Sequence, residues 1–263
     1  MQYLLGKVAI VTGASTGMGE AIAVVLAEEG AALALVARSA ERLEKAAARV
    51  RQIGNDVLVF PGDVADRAFA RQVVEVVVGR FGRLDLLVNN AGTNTAHRNL
   101  ADTPVADWRR VLETNLTGAF LFTRYALPPM RKARKGLIVN ISSGAGLAPS
   151  GPAGVAYSAS KHGIHSLTGS INAEERRHGI RACVIAPGET DTPNLDLRPL
   201  VPDKAARAAM LRPEDIANAV RYVATQPDHV SVDLLVISPT ARRNYQADYE
   251  RYVAEGHTNV PLD

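Results

Sequence analysis

Tyr157 and Lys161 stand four residues apart in AYSASKHGI, downstream of a glycine-rich stretch, TGASTGMG, at residues 12–19. On a helix, positions i and i+4 share one face, so the Lys161 ammonium can approach the Tyr157 phenol. A free phenol titrates near pH ~10 and is a poor base at neutrality. A neighbouring cation favours the phenolate and lowers that value. An alcohol being oxidised must lose a proton, and a ketone being reduced must gain one. A tuned tyrosine can do either. Alone, the spacing fits equally a packed tyrosine beside a solvated lysine.

The glycine-rich stretch supplies the context. The apolar run KVAIVT ends at Thr12, Gly13, Gly17 and Gly19 follow, and a helical pattern, EAIAVVLAEEG, comes next. Glycines let the backbone turn tightly against a pyrophosphate, and the helix N-terminus adds N–H groups and positive potential. Cofactor choice is read at the end of the second strand, where an acidic residue would favour NAD(H). This chain has Ala37, then Arg38 and Ser39. Arg38 can pair with a 2′-phosphate and Ser39 can add a hydrogen bond, so NADP(H) is expected over NAD(H). A solvated loop arginine is the alternative. Asp63, in PGDVAD, sits where a strand end meets the adenine, or else it caps the helix beginning near Asp66. Asn89-Asn90-Ala91-Gly92 suits both a tight turn and the crevice where such sheets bind ligands.

These residues need elements to position them. Strand-like runs fall at 7–12, 32–37, 56–61, 84–89, 136–142, 180–186 and 232–237. Helix-like stretches lie between them, at 17–29, 40–53, 66–81, 105–133, 155–178 and 213–225. Strands apolar on both faces, alternating with helices, predict an α/β fold: a Rossmann-type doubly wound parallel sheet of about seven strands with helices on both faces. One such domain accounts for residues 1–240. The polar segment 241–263 reads as a C-terminal tail that either packs on a neighbouring subunit or is loosely ordered.

Composition narrows the function classes. The chain is 47% hydrophobic and 22% charged, which fits a soluble globular protein. A formal net charge of +3 is small for 263 residues, and no Lys/Arg run is dense enough for nucleic acid. The densest run, RKARK at 131–135, reads as a helix end facing solvent. The single Cys183 excludes an internal disulfide and lies in an apolar run, as a buried thiol would. No signal-peptide pattern and no apolar run of ~18 residues is present, so the expected home is the cytoplasm, with no membrane partner. The six histidines have no metal spacing, and no metal is expected.

Taken together, the motifs resemble the short-chain dehydrogenase/reductase family. The likeness runs from about residue 5 to residue 240, in family order: Thr12-Gly13-xxx-Gly17-x-Gly19, Asp63, Asn89-Asn90-Ala91-Gly92, Asn115 in TNLTG, Ser143 in NISSGAG, Tyr157-xxx-Lys161, and Pro187-Gly188 with Thr192 beyond. The resemblance implies that Tyr157 is the general acid/base. Lys161 then lowers the Tyr157 pKa and bonds the nicotinamide ribose. Ser143 donates to the substrate oxygen, with Ser142 as the neighbouring alternative. Asn115 holds a water that links Lys161 to solvent. The implied cofactor site comprises Gly13, Ser15, Thr16, Gly17, Met18, Gly19, Arg38, Ser39, Asp63, Val64, Asn90, Ala91, Gly92, Tyr157, Lys161, Pro187, Gly188, Thr190 and Thr192. Pro187-Gly188 would cover the nicotinamide, backbone near Thr190 its carboxamide, and Thr192 the pyrophosphate.

The chain also departs from the family pattern. NADP-using members often carry Arg or Lys where Thr16 stands, so Arg38 is expected to act alone and the NADP(H) preference to be modest. Glu189-Thr190-Asp191 is more polar than usual, and its carboxylates either tune substrate choice or point to solvent. Residues 189–212 should form a substrate lid, in which Arg198 either pairs with an acidic substrate or is solvated. His97 and Arg98 are expected near its mouth. The loop has no aromatic residue, which argues against a bulky steroid. Extra apolar positions in 105–133 and 155–178 imply a homodimer or homotetramer. The expected activity is NADP(H)-dependent interconversion of an alcohol or small hydroxy acid and a carbonyl. The alternatives are an NAD(H)-preferring member, a dehydratase or epimerase on the same groups, and a non-catalytic NADP(H)-binding sensor.

Overall fold

A computed structural model of the chain describes residues 2–148, 150–198, 200–241 and 250. Apart from Ala241 and Glu250, the expected tail lies outside them. Seven parallel strands form one sheet in the order β3-β2-β1-β4-β5-β6-β7. They are β1 (Val8–Thr12), β2 (Ala32–Ala37), β3 (Val57–Pro61), β4 (Leu86–Asn89), β5 (Gly136–Ile141), β6 (Ile180–Pro187) and β7 (Leu234–Ile237). The doubly wound sheet read from the sequence is therefore present, with strand limits shifted by no more than two residues.

Successive strand residues feed opposite faces, as a pleated strand requires. Ala9, Val11, Leu33, Leu35, Val139 and Ile185 pack with α1 (Gly17–Glu28), α2 (Ala40–Ile53) and α8 (Pro213–Ala224). Ile10, Ala34, Val36, Leu87 and Ile138 pack with α3 (Arg67–Phe81) and α5 (Gly118–Ala133), and with Ile171 of α6 (Val155–Glu175). Local chemistry sets the helix ends. Ser39 caps α2 by accepting from the Arg42 N–H, and Asp66 caps α3 by accepting from Ala68 and Phe69. Asp63 does not cap α3. Its Oδ1 accepts from the Ala65 N–H at 2.9 Å, within the turn before the helix.

One long helix expected over 105–133 is divided. α4 (Val105–Leu112) runs into a π turn, Glu113–Thr117, before α5 begins. ETNLT has a single apolar residue, Leu116, so periodicity does not show the extra residue. Such bulges gather at functional sites, and this one carries Asn115. The segment 189–212 also contains an unexpected short helix, α7 (Lys204–Ala208).

Buried polar side chains tie the layers together. Asn89 and Asn140 are paired across β4 and β5, and the Asn89 amide donates to Asn140 Oδ1 at 2.8 Å and to Thr123 Oγ1 at 3.2 Å. The Asn140 amide donates to Thr168 Oγ1 of α6 at 2.8 Å. Beneath them Arg131 of α5 grips Glu175 of α6 with two nitrogens, Nε at 2.7 Å. RKARK is therefore not simply a solvated helix end: Arg131 holds Glu175 and Lys135 holds Asp228. Burial raises the Cys183 thiol to about 12, which leaves it unreactive.

The Arg131 guanidinium keeps the Glu175 carboxyl below its ordinary range. The stability this contributes is present above the unfolded pKa of ~4.3 and is lost as pH falls through the lower folded value. Glu175→Gln should cost about 1–3 kcal/mol at pH 7, and its deficit should shrink on acidification. Denaturation followed from pH 7 to pH 3 checks this. A deficit that stays constant over that range would show that the ion pair does not carry the effect.

Candidate active site

The sheet reverses its strand order between β1 and β4, and a crevice opens at the carboxyl ends of those strands, as such a reversal predicts. Its two sides are joined through Thr12. The Thr12 hydroxyl accepts from the Asn90 and Ala91 N–H groups at 3.0 and 3.1 Å, and the Asn90 amide donates to Thr12 O at 3.0 Å. Gly19 has no room for a side chain, because a Cβ there would overlap the Gly13 carbonyl oxygen. The result is a cleft of about 370 Å³.

Of the expected cofactor residues, Gly13, Ser15, Thr16, Gly17, Met18, Gly19, Arg38, Ser39, Asp63, Val64, Asn90, Ala91, Gly92 and Thr192 line this cleft. Thr192 crosses above the glycine turn, where a Cβ on Gly17 would come within 3.4 Å of its methyl. Pro187 and Gly188 lie outside the cleft wall, anchored to β7 through the Gly188 N–H to Ile237 O bond at 2.6 Å. Thr190 is buried and donates to Gly188 O at 3.2 Å.

Arg42, Thr114 and Asn194 also line the cleft, and the sequence reading missed them. Arg42 carried a signal. With Ser39 as the helix cap, Arg42 falls in the first turn of α2, next to Arg38. Among the described residues neither guanidinium has a hydrogen-bond or ion-pair partner. Arg38 thus has a second guanidinium beside it on the cleft wall, one that the sequence reading did not count. Thr114 arrives by the π turn, which no periodicity predicts.

The four expected catalytic residues lie outside the cleft lining and gather behind its wall at Gly92. Lys161 is 4% exposed, and its ammonium donates to Ile141 O at 2.8 Å. A Cβ on Gly92 would lie 3.7 Å from this nitrogen and 3.6 Å from Asn115 Oδ1. Asn115 is held at both ends: Oδ1 accepts from the Thr93 N–H at 2.7 Å, and the amide donates to Thr93 O and Ser160 Oγ, each at 3.0 Å. Ser142 is buried, and its hydroxyl donates to Lys161 O at 3.2 Å. Gly146 lets that turn close, since a Cβ there would come within 2.8 Å of the same carbonyl. Ser143 instead faces Tyr157, so the geometry separates the two serines.

Burial raises the Tyr157 phenol, opposed by the Ser143 hydroxyl and by the charges of Arg198 and Arg98. This differs from the expectation that Lys161 lowers it. The Lys161 nitrogen is 5.5 Å from the Tyr157 ring centroid and is committed to Ile141. Burial also pulls Lys161 down to about 8.

Neither Arg198 nor Glu189 is free in solvent. They form an ion pair with side chains 21% and 7% exposed. Arg207 holds Asp191 at 3.1 Å and also Asp196. Arg98 donates to Thr95 O at 3.1 Å and Pro152 O at 2.6 Å.

A family model described as short chain dehydrogenase matches residues 7–199. An uncharacterized oxidoreductase of Staphylococcus aureus is 34% identical over 240 residues, covering 91% of this chain and all of its own length. A metagenomic short-chain oxidoreductase solved in complex with NADP has a TM-score of 0.79 at 34% identity, covering 91% of this chain and all of its own. NAD+-bound xylitol dehydrogenase has a TM-score of 0.82 at 31% identity, covering 90% of this chain and 99% of its own.

Desolvation of Lys161 has a measurable cost. Its folded pKa near 8 lies below the unfolded 10.5, so between those values the unfolded chain binds more protons and stability rises with pH. Lys161→Met, which removes the buried charge, should therefore gain about 1–3 kcal/mol at pH 7. That gain should narrow as pH climbs from 8 to 10. Thermal melts of both proteins across this range are the check, and a variant less stable than wild type at pH 7 would contradict it.

Proposed function

The chain belongs to the short-chain dehydrogenase family of oxidoreductases, and on that premise we propose that it is an NADP(H)-dependent enzyme interconverting an alcohol, or a small hydroxy acid, and a carbonyl. One observation carries the proposal. Tyr157, Ser143, Lys161 and Asn115 cluster beside Gly92 on the wall of a cleft that also bears Arg38 and Arg42, two guanidiniums without a partner among the described residues.

The residues present fit a dinucleotide phosphate. The glycine turn leaves backbone bare at the start of α1, Asn90 Oδ1 is buried without a partner at the cleft wall, and Arg38, Arg42 and Ser39 form a donor set suited to a 2′-phosphate. When bound, the dinucleotide supplies or accepts the hydride. The chain's own residues do the rest. The Tyr157 hydroxyl exchanges the proton with the substrate oxygen. Ser143 donates to that oxygen and stabilises its developing charge. Lys161, fixed by Ile141 O, holds a positive charge beside the Gly92 backbone and orients the ribose. Asn115 Oδ1 accepts one bond, from the Thr93 N–H, and its second lone pair can hold the water of a proton relay from Lys161.

Arg98 and Arg198 both favour the Tyr157 phenolate electrostatically, Arg198 while it is paired with Glu189. Exposed Leu234 and Val236 on the edge strand β7, with Tyr222 on α8 and Phe120 on α5, support a homo-oligomer. The buried, unpaired Cys183 suits a cytoplasmic setting.

The test follows NADPH and NADH oxidation with aldehydes, ketones, keto acids and quinones, and the reverse reaction with alcohols and hydroxy acids. Tyr157→Phe should bind NADPH as wild type does and lose turnover by ~10²-fold or more. NADPH binding without turnover of any substrate by the wild type would turn the reading toward a sensor. Arg38→Ala/Arg42→Ala should lower kcat/KM with NADPH by ~10²-fold, two charge-assisted contacts at roughly tenfold each, with little change for NADH. Equal losses with both cofactors would contradict the 2′-phosphate assignment.

A further inference from the structure

The opposite end of the sheet holds a second cavity, of about 150 Å³. It lies among the amino ends of β1, β4, β5 and β6 and the loop after α8, across the molecule from the cofactor cleft. Cations outnumber carboxylates on its wall, with Lys7, Lys135 and Arg181 against Asp85 and Asp228.

Both carboxylates already have partners. Asp85 accepts from Arg83 Nε and Nη2 at 2.7 and 2.6 Å and from the Val8 N–H at 3.0 Å. Asp228 is paired with Lys135 and lies 4.0 Å from Arg181 Nη2. Lys7 is the group left short. Its ammonium is 3.8 Å from Asp85, beyond hydrogen-bond range, and its side chain is only 28% exposed. The Lys135 ammonium and the Arg83 guanidinium crowd it further. Arg181 is 13% exposed as a side chain and bonds only backbone carbonyls, including Pro227 O at 2.9 Å. A space of this size, part apolar with charged groups on its wall, admits several waters or one small anion.

We propose that this cavity binds a small oxyanion, held between the Lys7 and Lys135 ammoniums with Arg181 behind them. An anion there gives Lys7 the charge-assisted bond that the protein leaves unmade and offsets the repulsion between the two lysines. The site joins the N-terminal turn at Leu4, four strands and the end of α8, so occupancy would brace the sheet's amino edge.

The probe is inorganic phosphate, titrated calorimetrically into the full chain at constant ionic strength. Phosphate also has a claim on Arg38 and Arg42, so Arg38→Ala/Arg42→Ala is run beside Lys7→Gln/Lys135→Gln. Binding should survive in the first variant and weaken roughly tenfold or more in the second, the loss of charge-assisted contacts. Unchanged NADPH binding by Lys7→Gln/Lys135→Gln would show that variant to be folded. Phosphate binding that disappears with Arg38 and Arg42, binding indifferent to Lys7 and Lys135, or none by the wild type at millimolar phosphate would each overturn the proposal.

Discussion

A single buried ammonium constrains the structure where α6 meets the end of β5. Lys161 has left water for a site where one backbone carbonyl, Ile141 O, is its acceptor. A charge in that position is tolerable only where the surrounding backbone cannot shift. The neighbouring contacts serve that end. Ser142 and the turn at Gly146 close on the Lys161 carbonyl, Asn115 binds Ser160 one residue before it, and Asn140 binds Thr168 two turns after it. The helix is held at three points around the buried ammonium.

The segment 189–212 is built on the opposite principle. It is joined by ion pairs, Glu189 with Arg198 and Arg207 with Asp191 and Asp196, together with a short bridge between Thr190 and Leu211. The Arg207 pairs reach solvent and contribute little to stability, whereas the Glu189–Arg198 pair is largely buried. A rigid inner site under a polar cover suits a catalyst that must admit and release substrate.

Much of this was legible in the residues. Apolar runs bounded by glycine and polar turns located all seven strands, because strands covered on both faces leave few polar positions. The glycine turn, Arg38 and the Tyr157–Lys161 pair carried the site because local spacing alone sets their geometry. What stayed hidden depended on partners far along the chain. Asn115 meets Thr93 and Ser160, Arg198 meets a carboxylate across a loop, and Arg131 meets Glu175 across two helices. Neither composition nor period encodes those meetings. Burial reversed the expected direction for Tyr157, an effect that short-range spacing cannot show. Arg42 is the exception, readable from the Ser39 cap once the start of α2 is fixed.

The π turn at Glu113–Thr117 makes α5 sensitive to length as well as to composition. Each helical residue turns the chain by about 100°. Removing one residue there would restore a regular helix and rotate all that follows by that amount. Phe122, wholly buried, and Phe120, 44% exposed, are two residues apart on that rotating surface, and the sheet-facing stripe would swing toward solvent as a unit. Substitutions in this stretch alter single contacts, whereas a deletion acts as a frameshift in three dimensions. The one surplus residue therefore works as a phase marker, setting which side of a sixteen-residue helix faces the core.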